Sequence, residues 1–183
     1  CRAECSGIYL CLEQAVLSIF GHETPVDPTS VSDVSYINWL LMVRAGLTGL
    51  EFYTPATGEW RQAHMRARYV ILRVLLEAGE GLVHLDKVTG DDGAPDLRVR
   101  VDKDLIPTVG KAAIGKFLLA LQVHKSLGDV AGGTSLFERY SAVPEEMAAA
   151  REIVMARKEA RKLLVQPHLY ASEGGVYLRS FPA

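Results

Sequence analysis

Apolar residues recur along most of this chain at spacings of three and four, the period of a helix with one buried face. A first helix is expected over 2–20, with Ile8, Leu12, Ala15, Val16 and Ile19 as its core face. The stretch 21–29, with Pro25 and Pro28, reads as a loop. Ser32 or Asp33 can cap the next helix, which must stop before Pro55. A third is expected over 57–79, its stripe formed by Trp60, Ala63, Ala67, Ile71, Val74, Leu75 and Ala78, with Gly79 as a left-handed cap.

Beyond Gly81 the period changes to alternation. Residues 82–88 and 97–101 flank a turn rich in Gly, Asp and Pro, which predicts a peripheral β-hairpin. Helical spacing returns over 105–127 through Ile114, Phe117, Leu118 and Leu121. The glycines of 128–133 read as a turn between helices, because a phosphate-binding loop needs a preceding strand and a lysine that this segment lacks. A last long helix starts near Pro144, with Glu145 and Glu146 in its first turn and Arg157, Lys158, Arg161 and Lys162 as a solvated basic end. The segment 171–183 is a short tail of unassigned form. The fold class expected is mainly α with a small β-hairpin. No repeat, low-complexity linker or internal boundary divides the chain, so 1–183 reads as one unit.

Composition narrows the partners. At 49% hydrophobic and 23% charged residues, the chain can build a core and is not a disordered segment. A formal net charge of −2, with dispersed basic residues, leaves no electrostatic case for nucleic acid. The apolar run 37–53 is interrupted by Asn38, Arg44, Gly46, Gly49 and Glu51, so no membrane partner is expected from it. Cys1, Cys5 and Cys11 are odd in number and crowded at one end, which suits reduced, mostly buried thiols and a cytoplasmic location. They contain no CxxC pair and have no histidine at finger spacing, so they do not read as a zinc site.

The chemistry-bearing stretch is Trp60-Arg61-Gln62-Ala63-His64-Met65-Arg66-Ala67-Arg68. His64 falls on the apolar stripe and Arg68 one turn later on its shoulder, so the two side chains can share one space. The pattern alone makes His64 a packed core histidine.

With 38–47, 50–55, 70–81, 125–133, 157–167 and the opening Cys1-Arg2-Ala3-Glu4, this stretch closely resembles the dipeptidyl peptidase III family of zinc metallopeptidases. The match runs over nearly the whole chain. The resemblance implies a segment of the helical, zinc-carrying lobe of a two-lobed enzyme that releases dipeptides from the N-terminus of short peptides. The family holds zinc on a helical motif of the form HExxGH and a following motif of the form EExR(K)AE(D). Cys1-Arg2-Ala3-Glu4 matches the end of the second motif, which implies that the liganding glutamate lies just before Cys1. His22, His64, His84, His124 and His168 include no pair at metal-ligand helical spacing, so no residue of this chain is expected to bind the metal directly.

What the resemblance assigns to this chain is a supporting set. Glu4 matches a carboxylate that hydrogen-bonds a zinc-ligating histidine, His64 a catalytic donor near the scissile group, and Arg68 and Arg161 cations of the substrate cleft. From the residues alone, Glu4 reads as a first-turn glutamate favoured by the helix dipole. The expected partners are short peptides and the remainder of the same enzyme. Alone, the 183 residues are expected to be inactive. A different class also stays open, a non-catalytic helical interaction module built on the same fold.

Overall fold

The computed structural model describes residues 1–22, 31–159 and 168–179. Residues 23–29 of the expected loop, and Arg161 and Lys162, lie outside the described residues. The fold is mainly α, with three two-stranded antiparallel sheets among the described residues.

The first helix is broken in two. α1 (Arg2–Leu10) stops and α2 (Gln14–Ile19) restarts after Glu13 takes an extended conformation. The cause is tertiary. α3 (Asp33–Thr48) sends Trp39 Nε1–H to the Ile8 carbonyl at 2.9 Å and Ser35 Oγ–H to the Cys11 carbonyl at 2.6 Å. These donors satisfy the carbonyls that a helix end leaves open. The break also rotates the later face. Leu17 is buried, whereas Ala15 is exposed and Ile19 is 79% exposed, so the expected core face holds only as far as Ile8 and the half-buried Leu12.

α3 begins as its sequence predicts, with Ser32 Oγ accepting from Ser35 N–H at 3.1 Å. Its buried stripe is Trp39, Val43, Gly46 and Leu47. Gly46 marks the crossing with the next long helix: a β-carbon there would stand 2.6 Å from both the Arg68 carbonyl oxygen and Leu72 Cβ. Only glycine permits that approach.

A 3₁₀ turn (Gly49–Phe52) leads into β1 (Tyr53–Thr54), which pairs with β2 (Glu59–Trp60). Gly58 turns this small hairpin with φ +70. The third helix, α4 (Ala63–Ala78), therefore starts later than its periodicity predicts, with the Gln62 side chain accepting from Met65 N–H at 2.7 Å. Trp60 sits on β2 instead of the helix, half-buried, and donates Nε1–H to the Ser141 carbonyl at 3.1 Å. From Tyr69 to Leu75, α4 is buried on nearly every side and is the central element of the core. It ends at Gly79, whose φ +74 and ψ −147 lie outside the left-handed helical cap that was expected.

β3 (Val83–Thr89) and β4 (Pro95–Val101) form the predicted hairpin, with Val83 opposite Val101 and Thr89 opposite Pro95. It is not peripheral. α3 and α7 (Glu145–Ala156) pack against β4, and Arg157 clasps the turn. Arg157 Nη1 and Nη2 reach the two Asp92 carboxylate oxygens at 2.6 and 2.8 Å, while Nη2 and Nε donate to the Ala94 and Pro95 carbonyls. This hydrogen-bonded guanidinium, helped by the Ala94 N–H, lowers the Asp92 carboxyl to about 2. α7 thus ends before the expected basic stretch, and Arg157 and Lys158 are bound rather than solvated, Lys158 Nζ lying 2.5 Å from Glu51.

A π-helical turn (Ile106–Gly110) runs into α5 (Lys111–Leu127), and Gly128, with φ +66 and ψ 19, closes it. Gly132 and Gly133, read as part of a turn, belong instead to α6 (Val130–Ser141), capped by Asp129 on Gly132 N–H at 2.8 Å. Ile106–Leu127, not the run 37–53, is the helix long and apolar enough to cross a membrane among the described residues. Here one side of it packs on α1 and α6, and its other side exposes Leu119, Val123 and Leu127. Beyond α7, the tail contains a third hairpin, β5 (His168–Ser172) with β6 (Gly175–Arg179), whose Tyr170 and Tyr177 rings stand 5.7 Å apart.

Candidate site at the junction of the first and fourth helices

Glu4 occupies the first turn of α1, and the core residues behind it, Cys5 and Ile8, hold that turn down. Burial pushes the Cys5 thiol up to about 12, so it is an inert packing group. Cys1, Cys5 and Cys11 are all free thiols, as expected. The turn faces α4, where Cys1 Sγ lies 4.0 Å from the Ala67 carbonyl oxygen.

Across this junction Arg68 Nε donates to Glu4 Oε1 at 3.0 Å. The pair is sheltered, with the Glu4 side chain only 18% exposed and that of Arg68 35%. Arg68 Nη1 rests 3.8 Å from Met65 Sδ. The second carboxylate oxygen, Glu4 Oε2, is buried and accepts no hydrogen bond from the described residues. The terminal nitrogen of Cys1 is 3.7 Å from it, beyond hydrogen-bond range. A buried carboxylate oxygen without a donor is uncommon in folded proteins.

His64 stands one turn before Arg68, in the first turn of α4. It is exposed, not part of the core stripe, because the helix starts only at Ala63 and its first turn projects beyond the packed layer. The imidazole makes no hydrogen bond to another described residue. Side chains at i and i+4 neighbour one another on a helix surface, so His64 and the Arg68–Glu4 pair form one continuous surface. Arg161, the other expected cleft cation, lies outside the described residues.

No group of three His, Cys, Asp or Glu among the described residues could hold a metal ion. Glu4 Oε2 is the buried acceptor left without a donor among the described residues here, and an N–H donor fits it better than a cation that Arg68 would repel.

Arg66 was not singled out by the sequence reading, although it lies in the same stretch. Its guanidinium sits 5.0 Å from the Phe137 ring and donates Nη2–H to Ser141 Oγ at 2.8 Å. Its Nε is a second buried polar atom without a partner among the described residues. Arg66 separates a cleft of about 550 Å³ beside His124 and Asp129 from one of about 680 Å³ beside Tyr53 and Trp60. A third, of about 740 Å³, runs between α3, the β3–β4 hairpin and α7. Glu4, His64 and Arg68 line none of the three, so their shared surface is open on this chain.

Comparison with known proteins completes the description. The model of peptidase family M49 matches residues 1–183. Dipeptidyl peptidase 3 of Nematostella vectensis is 56% identical over 183 residues, covering 100% of this chain and 25% of that protein. Dipeptidyl peptidase 3 of Homo sapiens is 55% identical over 187 residues, with 100% and 25% coverage. The Dictyostelium discoideum protein of the same name is 46% identical over 186 residues, with 99% and 26% coverage. The chain thus spans about a quarter of the length of these relatives.

Proposed function

The chain belongs to peptidase family M49, and from that premise we propose that it is part of a zinc-dependent exopeptidase that releases dipeptides from the free N-terminus of short peptides. Its closely similar relatives carry the name dipeptidyl peptidase 3. In this reading the present residues form a segment of the helical lobe beside the metal, the ligands come from other parts of the polypeptide, and the three free thiols suit the cytoplasm. Bound zinc would polarise the scissile carbonyl and make its water acidic.

The observation that carries the reading is Glu4 Oε2, buried and without a hydrogen-bond donor among the described residues. Leaving a buried acceptor without a donor typically costs about 1–3 kcal/mol, more for a charged group. A metal-ligating histidine usually gives its second ring N–H to a carboxylate, which fixes its tautomer and orientation. Glu4 supplies such an acceptor, aimed from a rigid helix turn and already neutralised by Arg68 on its other oxygen. It would hold one histidine ring in place while remaining off the metal itself.

His64 would act on the substrate side. Exposed on the same surface, it can donate a ring N–H to the scissile carbonyl oxygen and strengthen that bond as negative charge develops there. Arg68, one turn beyond His64 on the same helix, and Arg161 would serve as cations for the peptide.

The experiment is Glu4→Ala in the full-length protein, followed by chelator competition. Zinc affinity is expected to fall by about 10–100-fold with the helix still folded, because Glu4 lies in the first turn of α1 and its ion pair with Arg68 is partly exposed. Unchanged affinity would return Glu4 to the role of a glutamate placed for the helix dipole.

A further inference from the structure

The geometry points to a binding site for an apolar monocarboxylate in the cleft of about 550 Å³ between α4, α5 and α6, with the carboxylate on Arg66 and Lys125. Arg66 lies two residues from both His64 and Arg68, and side chains two apart on a helix do not face each other. It points instead to another side of α4, toward α6. There the half-buried guanidinium has no carboxylate partner among the described residues. It sits 5.0 Å from the Phe137 ring centre, its Nη2 donates to Ser141 Oγ at 2.8 Å, and its buried Nε meets no acceptor among those residues. A charge taken partly out of water without a counter-ion is costly, so an arriving anion gains what the fold leaves unmet. Nη1 makes no hydrogen bond to a described residue and is the nitrogen through which that anion is held.

The walls of the cleft select the kind of anion. Leu121, Val130 and Phe137 supply an apolar surface, and the volume is that of a small-molecule site. Lys125 brings a second cation, and among the described residues neither its ammonium nor the Thr134 hydroxyl has a partner. Two carboxylates line the same space. Asp129 is already engaged, taking the Gly132 N–H on Oδ1 and a bond from His124 Nδ1 on Oδ2, both at 2.8 Å. Glu138 is not engaged, and its charge opposes a second negative charge on the ligand. Two cations facing one unengaged carboxylate therefore suit a monoanion better than doubly charged phosphate, and the apolar wall requires an apolar body on it. The corner is preformed. Gly128 turns the chain with φ +66, and a β-carbon on Gly132 would stand 2.6 Å from His124 Cε1, so glycine lets the imidazole brace the start of α6.

The test uses the full-length protein, before and after chelation, and three probes: phenylacetate, neutral phenylacetamide and inorganic phosphate. Ligand-observed NMR titration gives each Kd. Phenylacetate is expected to bind with a Kd on the order of 1 mM, as suits about ten heavy atoms in an open cleft, and the other two probes about 10-fold more weakly or worse. Arg66→Met should weaken phenylacetate by about 10-fold, the worth of one charge-assisted hydrogen bond. Lys125→Gln, at an exposed position with no partner to lose, should weaken it by about two- to fivefold and serves as the readout if the methionine variant folds poorly. Glu138→Gln should tighten binding by about the same factor. Chelation should leave the Kd unchanged, whereas binding that disappears on chelation would put the probe on a metal and overturn the inference. No binding to the parent, phenylacetamide or phosphate binding as tightly as phenylacetate, or an affinity unchanged in both Arg66→Met and Lys125→Gln would overturn it as well.

Discussion

His64→Ala in the full-length protein is expected to lower kcat by about 100- to 1000-fold, the usual loss when one donor to a developing oxyanion is removed, while KM changes little. The expectation follows from where the structure puts the ring. It is exposed in the first turn of α4, beside the Arg68–Glu4 pair, and holds no packing partner whose loss would unfold the helix. A donor whose bond strengthens only as the carbonyl oxygen gains charge acts on kcat and kcat/KM together. Stability separates this from a structural role: an exposed first-turn residue should shift unfolding by no more than about 0.5 kcal/mol. Kinetics and a thermal melt on one preparation decide it. A lowered melting temperature with unchanged kcat per folded molecule would remove His64 from the chemistry.

Trp39→Ala should destabilise the fold by about 3–5 kcal/mol, as for other buried aromatic truncations. Its side chain is fully buried at the meeting of α1, α3 and the π-helical turn, with the ring edge so close to Gly110 that a β-carbon there would lie 2.7 Å from Cζ3. Removing the indole leaves a cavity. It also strips the Ile8 carbonyl of its donor, the bond that helps to end α1. Because α1 carries Glu4, the same change should loosen the junction with α4. Urea unfolding of the variant checks the magnitude. A loss below about 1 kcal/mol would mean that the α1–α3 contact is not the structural anchor described.

What was legible in the residue pattern was local. Ser32 as a cap, the hairpin around Gly90 and Gly93, and the apolar run of α5 each announce themselves within a few residues, because capping and period act over short distances. The break after Leu10 did not, since its cause is Trp39 and Ser35 arriving from another helix. The β1–β2 hairpin has strands too short to show a period, and it displaced the start of α4, which in turn moved His64 from an expected core position to the surface. The hairpin of the tail could have been read from the short apolar runs Leu169-Tyr170 and Val176-Tyr177-Leu178 on either side of Glu173-Gly174-Gly175. At the site, Glu4, His64 and Arg68 were all singled out through family resemblance. That Arg68 is bonded to Glu4, 64 residues away in sequence, is a tertiary fact with no local signal. The same is true of Arg157 and Asp92, which lie 65 residues apart.

The claim that this chain is one part of a dipeptide-releasing metallopeptidase is tested most directly by identifying the products formed from a short peptide. The full-length protein, before and after zinc removal, is compared by mass spectrometry with the purified 183-residue chain. The account predicts N-terminal dipeptides from the full-length protein, their loss on chelation and return with zinc, and none from a peptide whose N-terminus is acetylated. It predicts no hydrolysis by the isolated chain at any zinc concentration, since no group of its described residues could hold the ion. Release of single amino acids by the full-length protein, dipeptide release that survives zinc removal, or zinc-dependent release by the isolated chain would contradict it.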